Sequence, residues 1–330
     1  MTYTTMTDYY DAAGFLPTHC RLKTAQDLED YAAARERFLN DKLYLPKRLF
    51  NDAQLIEIGP DTGENALCFA KWGAHCYLAE PNIHAHPVIL DYFKRYNLIY
   101  QLEDLDQIDI AGMSRTWTCL PENDFVIAEG FIYTVPIDVW LPLFARLLRP
   151  GGMVLISYYE RYGGFIELFT KRIYNRVLEL TGLPGIEVAH KLFDNKWALI
   201  KHTRTFNQWF LDVLEDPFVS EEYFLEAEAL CQAFDAAGFS LYSSWPQYRS
   251  PEPYWHKLPE QPGSRAEWIK SQHNKWKYGN QVNAGGWRVY QLNELLNAGD
   301  AEAIIRYCQT DPIWLRLYGL PNHFAVFEKL

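Results

Sequence analysis

The sequence has little positive charge and no large basic cluster. It contains 31 Lys and Arg against 42 Asp and Glu, a net charge of -11 over 330 residues. Adjacent basic residues occur only as pairs, at Lys47–Arg48, Lys94–Arg95 and Lys171–Arg172. Proteins that bind nucleic acid normally carry a basic face that neutralises phosphates. The composition therefore argues against a nucleic-acid partner.

Cysteine pairs at metal-ligand or redox spacing are also missing. The six cysteines stand at positions 20, 68, 76, 119, 231 and 308, and no two form a Cys-x-x-Cys pair. Several lie in apolar runs, as buried thiols do. This excludes a disulfide framework and predicts a reducing cytoplasm. His84 and His86 form a His-x-His pair without a Cys or carboxylate at ligand spacing, so no metal site is predicted.

Targeting and membrane-spanning segments are not evident in the sequence. The first residues, MTYTTMTDYYDAAG, have neither the basic nor the apolar region of a signal peptide. No apolar run approaches the length of a membrane span. We therefore expect a cytoplasmic protein with no membrane partner, and the sequence leaves the oligomeric state open.

Aromatic residues are abundant, at 16% of the chain with 11 Trp and 22 Tyr. Two interpretations stay open. The rings could line a pocket for a planar or sugar-like ligand, or they could fill an aromatic core. Hydrophobic residues make up 48% of the sequence, which is enough for a sizeable core in either case.

Short apolar runs alternate with helical segments through the first half of the chain. Strands are predicted at 54–59, 74–80, 124–130 and 153–160, and helices at 24–39, 64–73, 86–97 and 139–152. Such alternation with short connections predicts a parallel α/β sheet. Thr24 and Asp27 form a capping box for the first of these helices. Between 97 and 124 the pattern of the third strand is poorly defined.

The alternation of strands and helices is interrupted twice, and these interruptions suggest how the chain is divided into segments. Helix and strand resume at 223–246, and one further strand candidate, HFAVFEKL, ends the chain. We expect the strands at 239–245 and 323–329 to pair. The predicted division is a helical cap (1–50), the first half of the core (51–160), a helical insertion (161–222), the rest of the sheet (223–246 and 323–330) and a second helical insertion (247–322). A separate C-terminal helical domain is the alternative for the last segment.

The stretch LIEIGPDTGENALCFAKWGAHCYLAEPN, residues 55–82, holds the main functional signal. A buried strand runs into a turn with Gly59 and Gly63, a helix follows, and Glu80 ends the next strand. Glycines let a ligand approach the backbone, the helix start offers unpaired N–H groups, and an acid here can bind ribose hydroxyls. The spacing differs from the G-x-G-x-x-G of dinucleotide enzymes, and no phosphate-binding GK[ST] loop is present.

This stretch resembles the first motif of class I S-adenosylmethionine-dependent methyltransferases, acidic-x-G-x-G-x-G, written here from Glu57 to Gly63 with Asp61 at the middle glycine. The segments YLAEPN, DFVIAEGFIYTVP, LLRPGGMVLISYY and LCQAFDAAGFSLYSSW resemble later motifs of that family in the same order. The resemblance implies a Rossmann-like, doubly wound, mostly parallel seven-stranded sheet with an antiparallel last strand and added helical insertions.

The resemblance also implies S-adenosyl-L-methionine as the cofactor and a set of residues to hold it. Glu57 would lie near the ammonium group and Glu80 would bind the ribose. Asp61 would adopt a left-handed conformation, which Asp tolerates, and would lie by the cofactor or simply cap the helix. The implied cofactor-binding residues are Glu57, Gly59, Pro60, Asp61, Gly63, Glu80, Pro81 and Glu129. Glu103 or Asp104 would reach the adenine, or would be solvated loop charges.

Acceptor chemistry is less constrained, because the family provides no fixed general base. Methyl transfer needs aligned partners and, for a hydroxyl acceptor, a base. Candidates at the C-terminal strand ends are Glu129, Tyr158 and the neighbouring Tyr159, and the insertion adds His202, with His190 as a further histidine. For each histidine a structural hydrogen-bonding role is the alternative.

We therefore predict a methyltransferase that acts on a small-molecule or sugar-like acceptor by O- or N-methylation. The insertions favour a covered pocket over an open surface for a macromolecule. Two alternatives remain at this point: a non-catalytic binding subunit with the same fold, and a nicotinamide-dependent oxidoreductase.

Overall fold

The computed structural model describes residues 3–17, 22–117, 123–200, 204–248, 286–310 and 322–330. Its centre is a seven-stranded sheet in the order β3-β2-β1-β4-β5-β7-β6. Strands β1 to β7 span Gln54–Ile58, His75–Ala79, Leu102–Asp106, Asn123–Glu129, Leu148–Tyr159, Phe239–Trp245 and Asn322–Lys329. Strands β1 to β5 are parallel, and β7 runs antiparallel to β5 and β6. The predicted fold class is confirmed.

Helices cover both faces of this sheet. Helices α1 to α12 span Met6–Ala13, Ala25–Leu43, Glu64–Lys71, His86–Arg95, Ile110–Thr116, Ile137–Leu147, Phe165–Thr181, Gly185–Ile200, Phe206–Trp209, Ala227–Ala236, Gly286–Ala298 and Ala301–Thr310. One core cluster lies under α5, α6 and α10, and a second lies under α2, α3 and α4. None of the helices in the described part of the chain is long and apolar enough to cross a membrane.

Strand β1 shows how the sequence pattern places side chains on the two faces. Ile56 and Ile58 belong to the first cluster, whereas Leu55 belongs to the second. Successive strand residues point to opposite faces, so a strand covered on both sides is mainly apolar. Leu55, Ile56 and Ile58 follow this rule, and Glu57 is the one charged residue buried in the strand.

Two boundaries differ from the sequence predictions. The helix expected over 139–152 ends at Leu147, and the Pro-Gly-Gly sequence lies inside β5, where its pairing with β4 is irregular. The ill-defined third strand is β3, in which Glu103 and Asp104 are exposed. An edge strand that buries little has no strong apolar signature, which explains its weak signal.

The two predicted insertions share one hydrophobic core. A third hydrophobic cluster contains residues from both insertions. From the first come α7, α8, α9 and the π-helix Phe210–Glu215 that follows α9, and from the second come α11 and α12. Val188, Leu292 and Ile304 are completely buried in it. The helical segments on either side of β6 therefore form a joint layer, although the sequence predicts them as two separate insertions.

The pairing expected for the C-terminal strand is confirmed. Strand β7 lies between β5 and β6, with Trp245 opposite Phe324 and Phe239 opposite Lys329. Because β7 is bonded on both sides, it joins the parallel part of the sheet to its last strand. The chain returns here to the C-terminal ends of β4 and β5, where open α/β sheets bind ligands.

Candidate functional site

The turn after β1 has the backbone that its glycines predict. Gly59 has φ 65° and Gly63, the residue before α3, has φ 85°. Asp61 also has a positive φ, 51°. Asp is among the non-glycine residues that adopt this conformation most readily, so the turn persists without its middle glycine. A Cβ on Gly59 would lie 2.8 Å from the ring of Phe131, which leaves no room for a side chain.

Glu80 ties the end of β2 to this turn. Its carboxylate accepts hydrogen bonds from the backbone N–H of Asp61 and of Asn82, both at 2.8 Å. The side chain is 3% exposed. Burial first, and then the charge of Asp61, raises the pKa of Glu80 to about 8. A cationic ligand in this corner would favour the ionised carboxylate, because an opposite charge lowers a carboxyl pKa.

A cavity of about 370 Å³ opens beside this corner. It is lined by Met6, Tyr10, Pro17, Ile58, Gly59, Asp61, Glu80, Pro81, Asp109, Ile110, Glu129, Gly130, Phe131, Tyr133, Tyr159, Arg204, Asp212 and Asn322. Its size is within the range of small-molecule and cofactor sites. Of the predicted site residues, Gly59, Asp61, Glu80, Pro81 and Glu129 therefore share one cavity.

Three further predicted residues lie behind the cavity lining. Pro60 and Gly63 are buried within the turn, and a Cβ on Gly63 would lie 3.1 Å from Ile89. Glu57 is 2% exposed. Burial first, and then the nearby charge of Glu129, raises the pKa of Glu57 to about 8, against the opposing effect of Arg35. These residues shape the corner without lining the cavity.

Glu129, predicted both as a cofactor ligand and as a catalytic group, has a charged partner. Arg35 of α2 forms an ion pair with it, and Asn65 donates a hydrogen bond at 3.5 Å. The guanidinium lies 5.6 Å from the ring of Phe69. Burial acts to lower the pKa of Arg35, but Glu129 outweighs it and the pKa is raised. Glu129 is engaged by both Arg35 and Asn65, and the side chains of its ion pair are only 9% and 11% exposed, so this arrangement fits a role in holding the cavity wall better than a general base.

Tyr158 requires a correction, because it does not line the cavity. Its side chain is 2% exposed, and its hydroxyl lies 2.6 Å from the hydroxyl of Tyr248, which in turn lies 2.5 Å from Nδ1 of His323. Neighbouring strand residues point to opposite faces, so Tyr159 reaches the cavity instead. The sequence places two tyrosines at this strand end without showing which of them faces the cavity.

Within the part of the chain that the structure describes, none of the predicted histidines lies where it could act as a general base in the cavity. His202 lies outside the described residues. His190 is on the surface, where its Nδ1 is 2.8 Å from Asp194 and its ring stacks on Phe206. His86 has its Nε2 2.9 Å from the backbone oxygen of Glu80. In the part of the chain that the structure describes, no histidine lines the cavity.

Several lining residues were not identified from the sequence. Asp109 and Ile110 lie where α5 begins, and Asp109 accepts a hydrogen bond from Gly112 at 2.6 Å. The alternatives Glu103 and Asp104 are exposed instead. The sequence feature that could have identified Asp109 is its position as the N-cap residue before a short helix with an apolar start. Tyr10 of α1 covers the cavity from the N-terminal segment, which carries no motif.

The remaining wall comes from the end of β5, the segment after β4 and the inserted helices. Tyr133 and Tyr159 stack with their ring centroids 4.2 Å apart. Arg204 forms an ion pair with Asp212. Burial raises the pKa of both tyrosines, so their hydroxyls stay protonated. Burial lowers the pKa of Arg204, but Asp212 outweighs this effect and raises it. We call Tyr133, Tyr159, Arg204 and Asp212 the polar wall.

Comparison with known proteins identifies one family. The family model described as a methyltransferase domain matches residues 26–244. No curated protein gave a match.

Similar solved structures include the [4+2]-cyclase SpnF (13% identity, 90% of this chain and 80% of that one, TM-score 0.42). YjhP from E. coli is 14% identical over 91% of each chain, with a TM-score of 0.39. PKMT2 from Rickettsia typhi in complex with AdoHcy is 12% identical over 89% of this chain and 52% of that one, with a TM-score of 0.48. At such low similarity these structures add nothing to the assignment, which the family match carries.

Proposed function

This chain belongs to the methyltransferase domain family, and we propose that it methylates a small polar molecule held in the cavity beside the glycine turn. Its cofactor is S-adenosyl-L-methionine. When bound, the cofactor supplies a methyl group that its sulfonium activates. The chain's own residues have to hold the cofactor, align the acceptor and exclude water.

The chemistry of the corner fits this cofactor. Three carboxylates, those of Asp61, Glu80 and Asp109, line it without a basic side chain from the same turns. Carboxylates suit ribose hydroxyls, the ammonium group and the adenine amino group, whereas they would repel a pyrophosphate. We assign Gly59, Asp61, Glu80 and Pro81 to the cofactor, with Asp109 and Ile110 beside its adenine.

The single observation that carries the proposal is that one cavity is lined by both the glycine corner and the polar wall. Tyr10 of α1 lines the same cavity as Asp61, Glu80 and Asp212. A bound acceptor would therefore lie next to the cofactor. Met6 and Tyr10 of α1, together with Arg204 and Asp212, also line this space, and this enclosure favours a small acceptor over a macromolecule.

The test is binding followed by turnover. Titration calorimetry with S-adenosylmethionine and with NAD should show binding of the first alone. Release of S-adenosylhomocysteine should then be measured with small hydroxyl- and amine-bearing compounds and, separately, with protein and RNA. A preparation that binds NAD in preference, or that methylates only macromolecules, would contradict the proposal.

A further inference from the structure

We infer that the acceptor is a neutral ring with two adjacent hydroxyl groups, and that Asp212 accepts the proton of the hydroxyl that is methylated. This inference rests on the proposed function and narrows it to O-methylation. Three observations support it: the composition of the polar wall, the partners that the other carboxylates of the cavity already have, and the local backbone at Asp212.

The charge of the polar wall favours a neutral ligand. Arg204 and Asp212 form an ion pair whose side chains are about one-fifth exposed, at 20% and 22%. A cationic ligand would meet the guanidinium, and an anionic ligand would meet the carboxylate. A ligand of either charge would also lose its hydration, and the ion pair, which is neutral as a whole, would not compensate for that loss. A neutral ligand avoids both costs.

The same pair favours adjacent hydroxyl groups. Asp212 can only accept hydrogen bonds, and Arg204 can only donate them. Because the two side chains contact each other, a ligand that bonds to both needs a donor and an acceptor on neighbouring atoms. Two vicinal hydroxyl groups supply both, since one can donate to the carboxylate while the other accepts from the guanidinium.

The aromatic residues favour a ring. Phe131, Tyr133 and Tyr159 line the cavity together with the ion pair. Tyr133 and Tyr159 are nearly parallel, with an interplanar angle of 19°. Aromatic side chains contact rings over a large area, in offset-stacked or edge-to-face geometry. A ring whose hydroxyls reach Asp212 and Arg204 would therefore find apolar surface beside it.

Asp212 is the carboxylate that is left for an acceptor. Glu80 accepts two backbone hydrogen bonds, Asp109 caps α5, and Glu129 is paired with Arg35 outside the polar wall. Asp61 lies in the glycine turn beside Glu80. The tyrosine hydroxyls stay protonated and therefore donate or orient rather than remove a proton. Asp212 and its arginine partner both line the cavity.

The backbone at Asp212 supports a functional placement. The residue lies in the π-helix Phe210–Glu215, directly after α9. Segments of π-helix are rare and occur frequently at functional sites, because they displace side chains from regular helical positions. Tyr9 of α1 donates a hydrogen bond to the backbone oxygen of Leu211 at 2.7 Å, so the N-terminal helix rests on this segment.

The proton and electron changes balance. The acceptor oxygen forms its bond to the methyl carbon as the carbon–sulfur bond breaks, and the sulfur keeps the electron pair of that bond. The hydroxyl proton passes to a carboxylate oxygen of Asp212 and from there to solvent. Arg204 acts as a positioning residue, because it holds the carboxylate and does not receive the proton.

The experiment uses four probes built on the same ring: catechol, 1,2-dimethoxybenzene, benzylamine and benzoate. Each is titrated into the full-length protein saturated with S-adenosylhomocysteine, and binding is followed by calorimetry or ligand-observed NMR. We expect catechol to bind about tenfold more tightly than the other three, as hydrogen bonds to charged groups suggest. Tightest binding by benzylamine or benzoate, or no binding of catechol at millimolar concentration, would overturn the inference.

Two variants separate the role of Asp212 from a general loss of structure. Asp212→Asn should weaken catechol about tenfold and reduce methylation of catechol at every pH, while S-adenosylhomocysteine binds as before. The matched control is Asp194→Asn, an exposed aspartate of α8 in an ion pair with His190, which should change neither. Unchanged catechol binding and methylation in Asp212→Asn would overturn the assignment.

The failure of this inference and of the proposed function are distinguishable. If the wild-type protein does not bind S-adenosylhomocysteine, the methyltransferase proposal itself fails. If it binds S-adenosylhomocysteine but prefers a charged probe, only the assignment of a neutral diol fails.

Discussion

The glycine corner, which is the proposed cofactor site, is formed mainly by backbone, whereas the polar wall consists of side chains from distant segments. In the corner, Gly59, Asp61 and Gly63 hold positive φ values, and Glu80 bonds to two backbone N–H groups. In the polar wall, Tyr133, Tyr159, Arg204 and Asp212 come from three regions of the chain. The corner therefore depends on a few backbone conformations, and the wall on how distant elements pack. Mutations should affect the two regions differently.

The largest effect is expected in the corner, for Gly59→Val. A branched side chain at φ 65° is strained, and its Cβ would lie 2.8 Å from Phe131. We expect affinity for S-adenosylhomocysteine to fall about 100-fold or more, because strain of about 1–3 kcal/mol adds to the clash. Titration calorimetry measures this loss.

Gly151→Val is the matched control. Gly151 has φ 77°, but a Cβ at this position would meet no other described residue within 4 Å. The substitution should lower the free energy of unfolding and leave cofactor affinity unchanged. If Gly59→Val bound the cofactor like the parent, the turn would not be the binding corner.

Glu80→Ala should have the next largest effect. Hydrogen bonds to a charged group contribute about 1.5–3 kcal/mol, so affinity should fall about 10- to 150-fold. Glu103→Ala is the control, because Glu103 is an exposed acid of β3 that pairs only with His75 among the described ion pairs. Equal affinities for the two variants, measured by calorimetry, would refute the ribose assignment of Glu80.

The pH dependence of the free energy of unfolding tests the raised pKa of Glu57, the buried carboxyl group behind the corner. The pKa of Glu57 rises from 4.5 to about 8, by burial first and then by Glu129. The folded protein therefore holds this proton more tightly than the unfolded chain does. The free energy of unfolding should fall as pH rises from about 4.5 to about 8.

Glu57→Gln removes this contribution. Between pH 5 and pH 8 the variant should lose less stability than the parent, by an amount on the order of 1–3 kcal/mol. Urea unfolding without cofactor measures it. Parallel pH profiles for parent and variant would show that Glu57 does not carry a raised pKa.

The smallest effect is expected for Tyr158→Phe, which distinguishes the core from the polar wall. Loss of the bond to Tyr248 should cost about 1 kcal/mol in the free energy of unfolding, with no change in cofactor or catechol binding. Tyr159→Phe, one residue further along β5, should weaken catechol instead. The opposite pattern would place Tyr158 in the site and restore the sequence prediction.

The corner was predictable because its residues are close in sequence. Strand, turn, helix and Glu80 lie within residues 54–80, and positive φ restricts which residues can occupy the turn. The polar wall left no comparable signal. Arg204 and Asp212 are ordinary residues of an aromatic helical segment, and only packing brings them to Tyr133 and Tyr159. Arg35 reaches Glu129 across 94 positions in the same way.

By itself, the sequence determined the parallel α/β order, the glycine corner, the pairing of the last two strands and the family. The strand order and the corner depend on local backbone chemistry and on the period of apolar residues, which are both visible along the chain. The pairing of the last two strands followed because one strand candidate remained, and the family followed from the resemblance of several motifs in the same order. Tertiary structure alone decided that Tyr159 rather than Tyr158 lines the cavity, that Glu129 is paired with Arg35, and that two insertions share one core. Each of these depends on side-chain direction and on contacts between distant segments, which no local pattern encodes.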